Sequence, residues 1–328
     1  MTVTLTRRFG IAATTLLLGT GLTLTACSSD DASGSAPGST TASEASYPRS
    51  VTVGDEEVKL TAKPEHIAVL SSDLASLVLP LTGGDNVALA PEMSATGDLA
   101  TELDKVGTTM APSASIDAEQ VMASKPDLVM ISARHDFEKD AADQLRSFDI
   151  PVAVFSGDSW SGSEGIIDHI GEIADLVGEK AKGEELAADL TEKRDKIIAR
   201  ADGKDAPNTI GIWAHANKQM IGSKTLMLTG LIREAGGDPA VDHLDAQSMI
   251  AADPEVIVKE APEVIIVQTS ADSGKDAFAE LIDNPALKDV PAVKNDRVYY
   301  VDSAITGVSS GTAILDGLDQ VSSALFDK

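Results

Sequence analysis

Apolar and polar positions along this chain follow two regimes. Short apolar runs bounded by turn residues, the pattern of buried parallel strands, occupy residues 66–70, 87–90, 128–132 and 152–155, and again 209–213, 264–268 and 298–301. Between the two sets the period becomes helical: Ile166, Ile167, Ile170, Ile173, Ala174 and Val177 recur at three- and four-residue spacing within 164–177. A charged helical stretch over 179–201 follows; at about 1.5 Å per residue it spans about 33 Å, enough to pass from one lobe to another. The pattern predicts an α/β protein with two lobes of mostly parallel sheet.

An internal repeat supports two related halves. Asp117-Ala118-Glu119-Gln120-Val121-Met122-Ala123-Ser124-Lys125-Pro126-Asp127-Leu128-Val129-Met130-Ile131 recurs, at an offset of 136, as Asp253-Pro254-Glu255-Val256-Ile257-Val258-Lys259-Glu260-Ala261-Pro262-Glu263-Val264-Ile265-Ile266-Val267. Each copy reads as an Asp N-cap, an acid in the first turn where the helix dipole favours it, a short helix, a proline break and a buried strand. Pro254 suits the first helical position.

The N-terminus carries a different signal. Arg7 and Arg8 precede an apolar stretch from Phe9 to Leu24, and Leu24-Thr25-Ala26-Cys27 resembles the lipobox of a bacterial lipoprotein signal peptide. A short membrane span or an ordinary secretory leader are the other readings, but the run is short, threonine-rich and ends in small residues. Cleavage before Cys27, the single cysteine, would leave it lipidated and the mature protein without thiol chemistry. The Ser/Gly/Thr/Ala tract that follows has almost nothing to bury and reads as a flexible tether. The resulting division is a leader at 1–26, a tether at 27–48, a first α/β lobe at 49–160, a helical connector at 161–203 and a second lobe at 204–328. Formal net charge is −26, more negative without Arg7 and Arg8, which argues against nucleic acid as a partner.

Several motifs, each weak alone, occur in one order: Pro64-Glu65-His66-Ile67-Ala68-Val69-Leu70, Leu103-Asp104-Lys105-Val106-Gly107, the Glu119 helix with Lys125-Pro126-Asp127, Leu231-Ile232-Arg233-Glu234-Ala235-Gly236-Gly237, and Val290-Pro291-Ala292-Val293-Lys294-Asn295-Asp296-Arg297-Val298-Tyr299-Tyr300-Val301-Asp302. Together they resemble the substrate-binding lipoproteins of ABC importers for iron complexes and cobalamin. The resemblance implies two Rossmann-like lobes joined by a single long helix and a monomer anchored on the extracytoplasmic face of the cell membrane. It further implies no intrinsic cofactor, and an ABC permease with its ATPase as partners. It assigns Glu119 and Glu255 to docking in arginine pockets of the permease; the alternative is that both acids merely favour their helix N-termini.

A ligand between such lobes sits on loops after strand C-termini. The first lobe offers Ser71-Ser72-Asp73, Arg134, His135 and Trp160; the second offers Trp213, His215, Asn217, Gln268-Thr269-Ser270 and Asp302-Ser303. Arg134 has the planar fork that binds carboxylate or catecholate oxygens, and the two tryptophans suit an organic shell. The bland readings are a surface ion pair for Arg134 and core packing for the tryptophans. A ferric siderophore is the first expectation. Haem is the second, with His135 as axial ligand and His215 opposite, although the family's usual second-lobe tyrosine is represented only by Tyr299 and Tyr300 in a predicted strand. Cobalamin, or a divalent metal held by His135, His215, His243 and Asp302, is a further alternative, and His66 and His169 read as structural. No phosphate-binding glycine loop and no Gly-x-Ser-x-Gly elbow occurs, so no enzyme is expected.

Overall fold

The computed structural model describes residues 46–93, 97–111, 115–134, 136–156, 160–215, 218–244, 248–270 and 274–327. Cys27, His135 and Asn217 lie outside them, and of His215 only the backbone is described. The described residues lie in one compact unit.

The first half begins with strands β1 (Arg49–Val53) and β2 (Glu56–Leu60), then β3 (Ile67–Val69), α1 (Ser72–Thr82), β4 (Val87–Pro91), α2 (Gly97–Leu103), β5 (Thr109–Met110), α3 (Ala118–Ala123), β6 (Leu128–Ala133), α4 (Asp136–Arg146) and β7 (Val152–Ser156). Helices α5 (Gly162–Leu176) and α6 (Lys180–Ile198) connect it to the second half. There follow β8 (Asn208–His215), β9 (Lys218–Ile221), α7 (Met227–Glu234), β10 (Asp238–Pro239), β11 (Ile250–Ala251), α8 (Pro254–Glu260), β12 (Val264–Thr269), α9 (Ala279–Ile282), α10 (Pro291–Lys294), β13 (Val298–Asp302), α11 (Ser303–Thr306) and α12 (Ile314–Phe326).

Each half is built on one sheet. The first, ordered β5-β4-β3-β6-β7, is parallel throughout. The second runs β11-β9-β8-β12-β13 with β10 beside β8; β8, β12 and β13 are parallel, while β9 returns antiparallel to β8. All seven strands expected from apolar runs are present within a few residues of their predicted bounds.

The repeat is a repeat of structure. Asp117 accepts from the Glu119 N–H at 2.9 Å, and Asp253 accepts from the Glu255 N–H at 2.9 Å. The units close on left-handed residues 136 apart, Lys125 (φ 51°) and Ala261 (φ 45°), each followed by proline. The strands they feed, β6 and β12, stand in equivalent positions and are buried along nearly their whole length.

Period-two alternation within these strands divides the core. Ile67, Val69, Leu128 and Met130 face one cluster; Ala68, Val129 and Ile131 face another, under α3 and α4. In β12, Val264 and Ile266 join the same cluster as Ile67, while Ile265 and Val267 face a third. The two sheets therefore share one apolar core, filled by α1, α5, α7 and α12.

Helix α6 links the halves physically: Lys182 donates to the Leu81 carbonyl of α1 at 3.0 Å, and Lys193 pairs with Asp316 of α12 at 2.6 Å. Helix α5 packs antiparallel beside it. The close approach is made at Gly183, where a Cβ would lie 2.2 Å from that of Ala174. Glu234 of α7 ties the starting end of α5 to α6, accepting from the Ser163 N–H (2.8 Å), the Ser163 hydroxyl (2.6 Å) and Arg194. Among the described residues, no helix is long and apolar enough to cross a membrane.

Candidate functional site

Parallel strands of both sheets end toward a common cleft of about 1560 Å³. Ala133 ends β6 and Ser156 ends β7 on one side; Trp213 and Ala214 of β8, Gln268 and Thr269 of β12, and Ser303 after β13 lie on the other. The β1–β2 turn at Gly54–Glu56 closes one margin. The floor is where α1 meets the segment before α12: the Ser72 and Ser309 hydroxyls are 2.9 Å apart, and Gly311 (φ 54°) approaches so closely that a Cβ there would lie 2.8 Å from the Ser76 carbonyl oxygen.

The first-lobe wall is organised around a buried acid. Asp73, in the first turn of α1, has no exposed surface; one carboxylate oxygen accepts from the Ser132 hydroxyl at 2.6 Å and pairs with Arg134. Ser71 accepts from the Ser132 N–H at 2.7 Å, fixing the end of β6 against the start of α1. The other Asp73 oxygen is buried without a hydrogen-bond partner among the described residues. Such a carboxylate is held by its charge pair, and the pair in turn fixes the guanidinium. The Arg134 backbone N–H donates to Glu138 at 2.5 Å, and its guanidinium carbon lies 5.9 Å from the Trp160 ring centroid, within cation–π range.

Trp160 is both lining and core, 2% exposed. Behind it His169 stacks at 4.2 Å between centroids, and Phe155 meets His169 edge-on at 5.4 Å. His169 shares a hydrogen bond with Glu172 at 2.9 Å and is structural. Residues Arg134, Trp160 and Trp213 thus line one cleft, while Glu119 and Glu255 are exposed first-turn residues outside its lining.

Tyr299 and Tyr300 are in β13, as expected, and neither lines the cleft. Burial, with Asp283 nearby, pushes the Tyr300 phenol above its ordinary pKa, opposite to what a tyrosinate ligand needs. The Lys275 ammonium sits 4.8 Å from its ring centroid. His243 is occupied with Asp238 at 2.8 Å, and among the described residues no cluster of His, Cys, Asp and Glu has the makings of a metal site.

Sequence reasoning missed several lining residues. Lys139 and Arg146 come from α4, Ser223 and Thr225 from the segment after β9, Met249 from the approach to β11, and Ser309 from the floor. None sits directly after a parallel strand, so the strand-end rule does not reach them. The Gly54–Glu56 turn was within reach, since Val51, Val53, Val58 and Leu60 alternate with polar residues on both sides of Gly54.

Two α/β halves on a shared core, with an open cleft at their strand ends, define a two-lobed solute-binding protein. The chain belongs to the periplasmic binding protein family, whose profile matches residues 67–305. It is 25% identical over 316 residues to the iron-uptake system-binding protein of Bacillus subtilis (strain 168), covering 92% of this chain and 94% of that one. Its fold is similar to that of the triscatecholate siderophore binding protein FeuA from Bacillus subtilis, solved with ferri-bacillibactin, at TM-score 0.67 and 18% identity, covering 84% of this chain and 98% of that one. It is also similar to the periplasmic heme-binding protein RhuT from Roseiflexus sp. RS-1, at TM-score 0.62 and 20% identity, covering 80% and 99% of the two chains. The family and these neighbours are solute-binding proteins, not enzymes.

Proposed function

We propose that this protein is the lipid-anchored, extracytoplasmic binding component of an ABC importer, capturing a ferric siderophore in the cleft and presenting it to the permease. The observation that carries this reading is the cleft itself, open, lined by Trp160, Trp213 and Arg134, and placed at the strand ends of both sheets. The iron-uptake relative and the siderophore-binding neighbour support an iron complex as cargo. Binding of this kind needs no chemistry from the protein: shape and aromatic contact select, and modest lobe adjustment over the shared core signals occupancy. Haem is the second reading, favoured by the RhuT likeness and by the position of His135 immediately after Arg134. Cobalamin is the third, since a cobalamin-binding protein of Halobacterium salinarum is 25% identical over 253 residues.

Glu119 and Glu255 are the proposed docking residues. They are exposed, repeat-related and held in matching capped turns, an arrangement suited to aligning a two-lobed protein over a two-fold partner by charge pairing.

Titration of the purified protein with a panel of ferric siderophores, haem and cobalamin, followed by tryptophan fluorescence and thermal shift, tests the cargo. A ferric chelate is expected to bind at about micromolar Kd or tighter and to quench emission. A haem complex with a Soret band, and no response to any ferric chelate, would reverse the order of the first two readings. The anchor has its own test: Cys27→Ser protein is expected in the soluble fraction after cell disruption, and retention in the membrane fraction would end the lipoprotein reading.

A further inference from the structure

Around Asp73 two ordinary folding rules are broken side by side. Ser71 holds the N-cap position of α1, yet its hydroxyl makes no capping bond to the helix. It reaches across to β6 instead, accepting from the Ser132 N–H at 2.7 Å. Asp73 then buries a carboxylate with 0% exposure that is only half satisfied. One oxygen takes both the Ser132 hydroxyl, at 2.6 Å, and Nη2 of Arg134, while the other has no hydrogen-bond partner among the described residues. A cap forgone and a buried charge left partly unpaired both oppose folding, and such local violations concentrate at functional sites.

The result of this arrangement is a guanidinium with a fixed position. Arg134 lines the cleft with 26% of its side chain exposed. Its Nη2 is on Asp73, its backbone N–H donates to Glu138 at 2.5 Å, and its guanidinium carbon lies 5.9 Å from the Trp160 ring centroid. Nε and Nη1 carry no hydrogen bond to a described residue. The turn bearing Asp73 is itself held from the other half of the protein. Ser72 meets Ser309, hydroxyl to hydroxyl, at 2.9 Å, and a Cβ at Gly311 would collide with the Ser76 carbonyl oxygen. The Ser76 hydroxyl in turn donates to the Asp73 carbonyl at 2.6 Å. An arginine on a free stem loses rotamer freedom when it meets a ligand, and one already held loses less.

We propose that Asp73 is a positioning residue for ligand capture. From behind the first-lobe wall it holds Arg134 by one nitrogen, so that the remaining donors meet an oxygen-bearing cargo already oriented. Asp73 touches no cargo itself and acts only through Arg134. This role presupposes that the cargo occupies the cleft, as proposed above, and is indifferent to the class of that cargo.

Nuclear magnetic resonance on the purified full chain, with isotope-labelled arginine, tests the hold on Arg134 without any ligand. The Arg134 side chain, identified by the signal missing from Arg134→Lys, is expected to show slow guanidinium rotation with distinct Nη signals. A freely rotating group in the natural chain overturns the proposal, whatever any variant does. In Asp73→Asn the rotation is expected to become fast. Capture is read by tryptophan-quenching titrations with ferric enterobactin, ferrichrome and haemin. The probe that the natural chain binds is expected to lose about tenfold or more in affinity with Asp73→Asn, and less than about twofold further with Asp73→Asn/Arg134→Gln. The Tm of Asp73→Asn is expected to fall by less than about 3 °C, because a partly exposed Arg134 can turn to water once its partner is neutral. A residue that only supports the fold would lower Tm and leave the affinity of the folded protein unchanged, and that result overturns the proposal. So does a second large loss on adding Arg134→Gln, since Arg134 would then reach the cargo without Asp73. Silence toward all three probes removes the iron-complex reading instead, and the guanidinium signal alone then decides whether Asp73 holds Arg134.

Discussion

Reversing both proposed docking carboxylates, Glu119→Arg with Glu255→Arg, is expected to reduce uptake of the proposed iron-complex cargo by about 100-fold or more while leaving its affinity for the isolated protein unchanged. Losing a desolvated charge pair at an interface costs about 2–5 kcal/mol, and reversal replaces attraction with repulsion at both ends of the contact. The stability cost is small, because both side chains are exposed and lie outside the cleft lining. Each substitution forfeits the favourable acid at its helix start and places an unfavourable cation there, about 0.3–1 kcal/mol for each of the two changes. The capping bonds that define the turns are made by Asp117 and Asp253 and are untouched. Uptake assays and ligand titrations on the same variants give the answer. Uptake that survives double reversal with binding intact would return both glutamates to a purely local role, the one their helix N-termini already provide.

The same symmetry explains how much of the structure was readable from sequence. Strands β6 and β12 are buried on both faces, so their runs are apolar without interruption and stand out at any window. Their preceding turns carry Asp, Glu and Pro at fixed places because each supplies a cap, a dipole partner or a break. Strand β9 was not read: Lys218-Gln219-Met220-Ile221 is short and mostly polar, and its identity as a strand comes from returning along β8. Asp73 was visible only as a loop acid near a strand end, since its role depends on Ser132 and Arg134, about 60 residues away, arriving at the same place. The pairing of Arg134 with Asp73 was illegible for the same reason. Arg134 read alone looks like an anion receptor; the partner that cancels it is set by tertiary structure.

Gly230 is a tight contact within that tertiary structure, and Gly230→Val is expected to destabilise the protein by about 3 kcal/mol and to weaken ligand binding at the same time. A Cβ at 230 would lie 2.5 Å from the Gly162 nitrogen, 2.6 Å from the Ser161 hydroxyl oxygen and 2.9 Å from the Ser161 carbonyl carbon. Two of these are backbone atoms, so no rotamer change relieves the overlap; either α7 or the segment entering α5 must move. Both carry cleft residues, Met227 and Leu228 on the one side and Trp160 on the other, which couples the loss of stability to the loss of affinity. They also belong to the core shared by the two sheets, so the variant is expected to unfold in one transition at a lower Tm rather than to release one lobe first. Gly171→Ala in α5 is the matched control. Its added methyl meets nothing within 4 Å, and removing a mid-helix glycine is expected to stabilise by about 0.5–1 kcal/mol. Calorimetry on the two variants decides the matter: an unchanged Tm for Gly230→Val would mean that the halves meet more loosely there than the packing of α7 against α5 requires, and two separated transitions would mean that the shared core does not bind the lobes into one cooperative body.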